Sequence, residues 1–320
     1  MQPEKDLLYT DNAVARKLDN GMTVTLERLP YLHSATAGVW VKTGSANEQP
    51  DQAGISHFLE HLFFKGTKTR TARQIMEPIE SKGGHLNAFT SREYTCLYIK
   101  TLDKHLAAGI EVLADVIKNS TFCDLDKERN VVLEEIASIE DVPEDYAHDL
   151  LSARLWPNHP LGWPVSGRVE SVANITIKDV QSYYKAWYRP RNMYFSIAGN
   201  FDESAVLEQV DREFGGLPPS PSHKHSGPPE FAPGIEIVER DIAQNHLCMA
   251  FPGPTVSDER RYVYDILSSA LGGGSTSRLF ERIREEEGLA YSIYSFHSCF
   301  FTAGMFGIYA AVAPENFDRT

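Results

Sequence analysis

His57-Phe58-Leu59-Glu60-His61 places two imidazoles and a carboxylate inside a run that is otherwise apolar. Its neighbours read as helix from Ile55 to Phe64, where each residue turns by about 100°. His57 and His61 then lie about 40° apart, and Glu60 falls within the same arc of roughly 100°. Phe58, Leu59, Leu62, Phe63 and Phe64 fill the other directions, which predicts a helix buried nearly all round. Three polar groups leaving one side of a buried helix need partners.

A zinc ion meets that need. Two imidazole nitrogens bind it at about 2.0 to 2.1 Å, and one further protein ligand leaves a position for water. The order His-x-x-Glu-His is the inverted zinc-protease arrangement. A pattern of five residues also arises by chance in a chain with 11 His, where it would mean two core histidines beside a satisfied Glu. The third ligand is therefore sought independently. Asp124 reads as the N-cap of a helix over residues 125–140, with Leu125, Val131, Val132, Ile136 and Ile139 as its apolar stripe. Glu128 and Glu135 lie within that stripe, about 20° apart, whereas Glu134 points about 100° away from Glu135. Carboxylates on an apolar face are destabilising unless paired or ligating. Helical phase thus selects Glu135 as third ligand, and Glu128 becomes the carboxylate that orients a ligand or gates the site. The plainer reading of the pair is a buried ion pair with Lys or Arg.

With these residues in view, the chain resembles the insulinase/pitrilysin-type zinc metallopeptidases, the inverzincin group. It is most similar to the beta subunit of mitochondrial processing peptidase and its bacterial relatives. The resemblance rests on His57, Glu60, His61 and the run Glu128-Arg129-Asn130-Val131-Val132-Leu133-Glu134-Glu135. It extends through Phe64-Lys65-Gly66-Thr67, Gly83 to Thr90, His159-Pro160-Leu161-Gly162, and Ser277-Arg278-Leu279-Phe280 on to Tyr291. It implies a zinc endopeptidase with one Zn2+ held by His57, His61 and Glu135, and Glu60 as general base. It further implies that Asn87, Ala88 and Phe89 receive an extended peptide by strand addition. Arg284 and Tyr291 would reach substrate and the oxyanion, a task suited to a guanidinium or a phenol. The implied partners are peptides, basic or unfolded, with the protein acting as a homodimer or beside a related subunit. The alternative is a catalytically silent structural or regulatory homologue; such relatives lose the histidines or Glu60, and all are present here. A non-peptidase zinc hydrolase is a weaker third reading.

The fold class expected is α+β, with two homologous α/β-sandwich domains, each an antiparallel-rich sheet packed with helices. Residues 1–214 form the catalytic domain, 215–234 a linker rich in Gly, Pro and Ser, and 235–320 a second, non-catalytic domain. Elements recur across the linker in one order. Ser34–Thr43 reads as strand, Ile55–Phe64 and Ala72–Lys82 as helices, and Leu86–Leu102 as strands. The counterparts are His246–Phe251, then Tyr262–Leu271 and Ser277–Glu287, then Tyr291–Val312. The second copy has no His-x-x-Glu-His, and its shorter length suggests C-terminal truncation. Asn87–Ile99 is expected at a sheet edge, open to an added strand.

Composition narrows the classes further. The 320 residues, 42% of them hydrophobic, suffice for two cores. A net charge of −13 argues against nucleic acid; were part of it to line the substrate cavity, basic peptides would be favoured. No apolar run of membrane-spanning length occurs. Met1 to Asp6 lacks a leader-like pattern and the four cysteines form no CxxC pair, so the expected compartment is cytoplasmic, although a leader already removed would leave the same start.

Overall fold

The computed structural model describes residues 13–219 and 226–320. Met1 to Asp6 and the middle of the expected linker lie outside them. In chain order the elements are β1 (Ala13–Lys17), β2 (Thr23–Arg28), β3 (Ser34–Val41), α1 (Ile55–Phe63), α2 (Ala72–Glu80), β4 (His85–Thr90), β5 (Thr95–Leu102), α3 (Leu106–Asn119), α4 (Leu125–Asp141), α5 (Pro143–Leu155), α6 (Val169–Asn174), α7 (Ile177–Trp187), β6 (Met193–Gly199) and α8 (Glu203–Phe214). After an irregular stretch come β7 (Asn245–Pro252), α9 (Arg261–Gly272), a π-helical turn over Phe280–Glu286, β8 (Ala290–Cys299) and β9 (Gly304–Val312). The fold is α+β, as the sequence indicates.

The first sheet runs β1-β2-β6-β3-β5-β4. Only β2 and β6 are parallel; the remaining neighbours are antiparallel. Alternation is plain in β3, where Ala35, Ala37, Val39 and Val41 are all at most 2% exposed. These residues meet the helical layer, and Thr36 and Trp40 face away. The edge expectation needs correction: Asn87–Ile99 is not one strand but a hairpin, broken where Ser91 N–H donates to the Tyr94 carbonyl. Of the two strands of this hairpin, β4 lies at the sheet edge among the described residues and β5 lies between β4 and β3.

The second sheet runs β7-β9-β8, all antiparallel. Its order repeats β3-β5-β4 of the first sheet, so the internal repeat is one of topology as well as pattern. The expected helix Ser277–Glu287 is instead π-helical over Phe280–Glu286.

Close contacts divide the chain differently from its linear order. One compact unit takes residues up to Glu134 and those from Val165 to the undescribed gap; the other takes Glu135–Pro164 with Ser226–Thr320. Residues 135–164 join the second unit through α5. The Arg154 guanidinium donates to the carbonyls of Ala232 and Pro233, the Tyr294 hydroxyl donates to Glu144 at 2.7 Å, and Trp156 meets Phe300 edge to face. Such a discontinuous unit is invisible to a search for linkers.

Candidate metal centre

α1 forms where the sequence expects a buried helix. Ile55, Phe58, Leu59, Leu62 and Phe63 are fully buried. Its start depends on Gly54, whose φ of 95° lies in the left-handed region, and whose missing side chain makes room for the Ser166 carbonyl and Gly167. Glu48 caps the helix from outside: its carboxylate accepts from Gly54 N–H at 2.7 Å and Ser56 N–H at 2.8 Å. Burial pushes this carboxyl up to about 7, against the opposing pull of those N–H bonds and of His57. Behind it, the Tyr183 hydroxyl links Ser56 and Thr43 at 2.7 and 2.6 Å. Neither Glu48 nor Tyr183 was singled out from sequence, since nothing local marks a Glu in an irregular segment as a cap.

Glu48→Ala should therefore leave two N–H donors at a buried helix start without their acceptor and lower stability by about 2 to 4 kcal/mol. Glu48→Gln, which keeps an acceptor oxygen, should lose less. Denaturant unfolding of both variants checks the order, and an alanine variant as stable as the parent would contradict it.

α4 brings the third group. It is one unbroken helix, and Glu135 is the residue directly after the division between units. A ligand atom from each of His57, His61 and Glu135 lies within 4.8 Å of the others. The two rings stand edge to face with centroids 4.7 Å apart. Glu134 is exposed. The apolar stripe expected on α4 needs one correction. Val132 and Ile136 are buried, but Val131 is 44% exposed, because it sits about 100° from Val132, at the margin of the face. Asp124, expected as N-cap, adopts a left-handed φ of 62° and gives its backbone carbonyl to Glu128 N–H.

Glu128 is 2% exposed. Its Oε2 lies 3.5 Å from His61 Nδ1, and its Oε1 pairs with Lys65 Nζ at 2.9 Å. Glu128 thus forms the ion pair with Lys65 that the plainer reading expects, and its other oxygen approaches His61 without a hydrogen bond. Two imidazoles and a carboxylate converging on one point are a donor set that suits Zn2+.

Glu60 does not belong to the converging trio. Its Oε2 accepts a 2.5 Å hydrogen bond from the Thr90 hydroxyl at the end of β4. The candidate base is thereby tied to the edge strand that carries Asn87, Ala88 and Phe89. Thr90 was legible only as part of a motif, with no role attached. Arg284 and Tyr291 lie in the second unit, where the guanidinium sits 5.0 Å from the Tyr291 ring centroid and 4.6 Å from that of Phe280. Tyr291 is 75% exposed.

The chain can now be set beside known proteins. The family model for insulinase, peptidase family M16, matches residues 23–168, and that for the peptidase M16 inactive domain matches residues 174–320. An uncharacterized zinc protease of Bacillus subtilis, YmxG, is 44% identical over 302 residues, covering 94% of this chain and 74% of its own. An uncharacterized zinc protease of Mycobacterium leprae is 42% identical over 321 residues, covering 98% and 72%. The crystal structure of a protease from Helicobacter pylori has the same fold, with a TM-score of 0.89 at 24% identity over 95% of this chain and 77% of that one. Among the described residues no helix is long and apolar enough to cross a membrane. Identity at this level over nearly the whole sequence, on a fold of the same order, makes the chain a member of the insulinase family of peptidases, family M16.

Proposed function

We propose that the protein is a zinc-dependent endopeptidase, with His57, His61 and Glu135 as metal ligands and Glu60 as general base. The observation that carries this reading is the convergence of three ligand atoms within 4.8 Å beside a glutamate that is not one of them. Zinc bound there would supply Lewis-acid polarisation of the peptide carbonyl and a water of lowered pKa. Glu60 takes a proton from the attacking water and delivers it to the leaving amine. The Thr90 hydroxyl donates to Oε2 and so would fix the orientation of the Glu60 carboxylate for that transfer. Among the described residues β4 pairs on one side only, and an extended peptide added along it would gain main-chain hydrogen bonds next to Glu60. Arg284 and Tyr291 are proposed to contact substrate. Residues 235–320 are proposed as a non-catalytic partner domain, and pairing with a second copy or a related subunit is part of the same reading.

Incubating a test peptide with the protein, with and without a chelator, and reading products by mass spectrometry tests the activity. Chelator-sensitive internal cleavage is expected, whereas cleavage indifferent to the chelator would contradict the zinc reading. Thr90→Val tests the geometry. It keeps shape but removes the donor, so zinc content should hold while kcat falls about tenfold, the scale of one hydrogen bond to a charged group. Unchanged kcat would mean that Glu60 needs no such hold.

A further inference from the structure

Lys65 is held more firmly than a lysine just past a helix end needs to be. Its N–H donates to the Leu62 carbonyl at 3.3 Å, and its own carbonyl accepts from the Cys123 thiol at 3.3 Å. Gly66, at a φ of 146°, turns the chain there, and its carbonyl accepts from Thr121 N–H at 3.1 Å. Residues Thr67 to Arg70 are fastened to α3. Asp115, 6% exposed, accepts from the hydroxyls of Thr67 at 2.7 Å and Thr69 at 3.1 Å and pairs with Arg70 at 2.8 Å. With its backbone fixed on both sides, Lys65 brings its ammonium to Glu128 Oε1 at 2.9 Å.

Glu128 needs positive charge nearby, because a buried carboxylate left unbalanced is strongly destabilising. Its second oxygen, Oε2, is buried without a hydrogen bond and lies 3.5 Å from His61 Nδ1. Two sources of positive charge therefore meet at this one carboxylate. Lys65 supplies the first at Oε1. A zinc ion on His61 would supply the second from the side of Oε2, being the largest charge in its surroundings. Two cations that balance the same anion oppose each other, so each gains less where the other is in place.

We propose that Lys65 is the resident counter-ion of Glu128: it balances that carboxylate before zinc is bound, keeping the folded site ready for the metal, and it weakens zinc affinity by doing so. The inference rests on the zinc reading and adds a residue that governs metal loading. Lys65 acts through Glu128 as a positioning residue and is not a ligand.

Thermal unfolding of zinc-free and zinc-saturated protein tests this, with zinc affinity measured by competition against a chromophoric chelator. Lys65→Met should lower the Tm of zinc-free protein by about 5 to 10 °C. It should lower the Tm of zinc-saturated protein by less, and tighten zinc binding about tenfold. Lys65→Arg keeps the charge and should behave as the parent. In Glu128→Gln protein there is no anion to balance, so adding Lys65→Met should change neither the Tm gained from zinc nor the affinity. Lys65→Gln keeps a donor to Oε1 without the charge, and carries the affinity measurement should Lys65→Met not fold without zinc. Equal losses of Tm with and without zinc, or zinc bound no more tightly by Lys65→Gln than by the parent, would overturn the counter-ion role and leave the zinc reading standing. A parent protein whose Tm zinc does not raise would remove both.

Discussion

Glu60→Gln is expected to keep its zinc and lose about 10² to 10⁴ in kcat, the usual scale of general acid-base catalysis. The expectation comes from a division of labour on one helix. His57 and His61 converge with Glu135, and Glu60, one residue before His61, instead points to the Thr90 hydroxyl. Glutamine is nearly isosteric and still accepts that bond through its amide oxygen, but it cannot carry a proton. Folding and metal content should therefore be those of the parent. Metal analysis beside turnover of a test peptide separates the two effects. A zinc-loaded variant with near-normal turnover would mean that another group moves the proton, and zinc loss would mean that Glu60 is itself a ligand.

Glu135→Gln should have the opposite signature, with zinc lost and activity lost as a consequence. An amide oxygen carries no charge to set against the cation, and the decrease in affinity should exceed the ~10 to 100-fold that follows removal of an orienting neighbour. Glu134→Gln is the matched control. The residues adjoin in sequence, yet Glu134 is exposed and outside the converging trio, so its variant should bind zinc as the parent does. Equal zinc loss in both would contradict the assignment.

The site was legible where periodicity reaches. The apolar residues around His57 and His61 dictated a buried α1, and the 3.6-residue turn of α4 distinguished Glu135 from Glu134 without any contact being known. The same periodicity overreached at Val131, because a stripe read from residue type has no sharp margin. Contacts between distant segments were not legible. Glu48 caps α1 from an irregular loop, and Thr90 reaches Glu60 across 30 residues; neither bears a local signature. The break between β4 and β5 within Asn87–Ile99 has no local mark, because its turn, Ser91-Arg92-Glu93-Tyr94, contains neither Gly nor Pro. The repeat across the irregular stretch predicted which elements follow one another in the second half, whereas the strand order of its sheet and the attachment of residues 135–164 through α5 follow only from three-dimensional contacts such as Arg154 with Ala232 and Pro233.

The central claim is that one zinc ion sits on His57, His61 and Glu135 with Glu60 outside the coordination shell. An anomalous difference map at the zinc absorption edge, from crystals of the zinc-loaded Glu60→Gln protein, tests it most directly. The account predicts a single strong peak on α1 and α4, about 2.0 to 2.2 Å from one nitrogen of each histidine and one oxygen of Glu135. No peak there, or a peak bound by residue 60 or by Glu134 in place of Glu135, would contradict it.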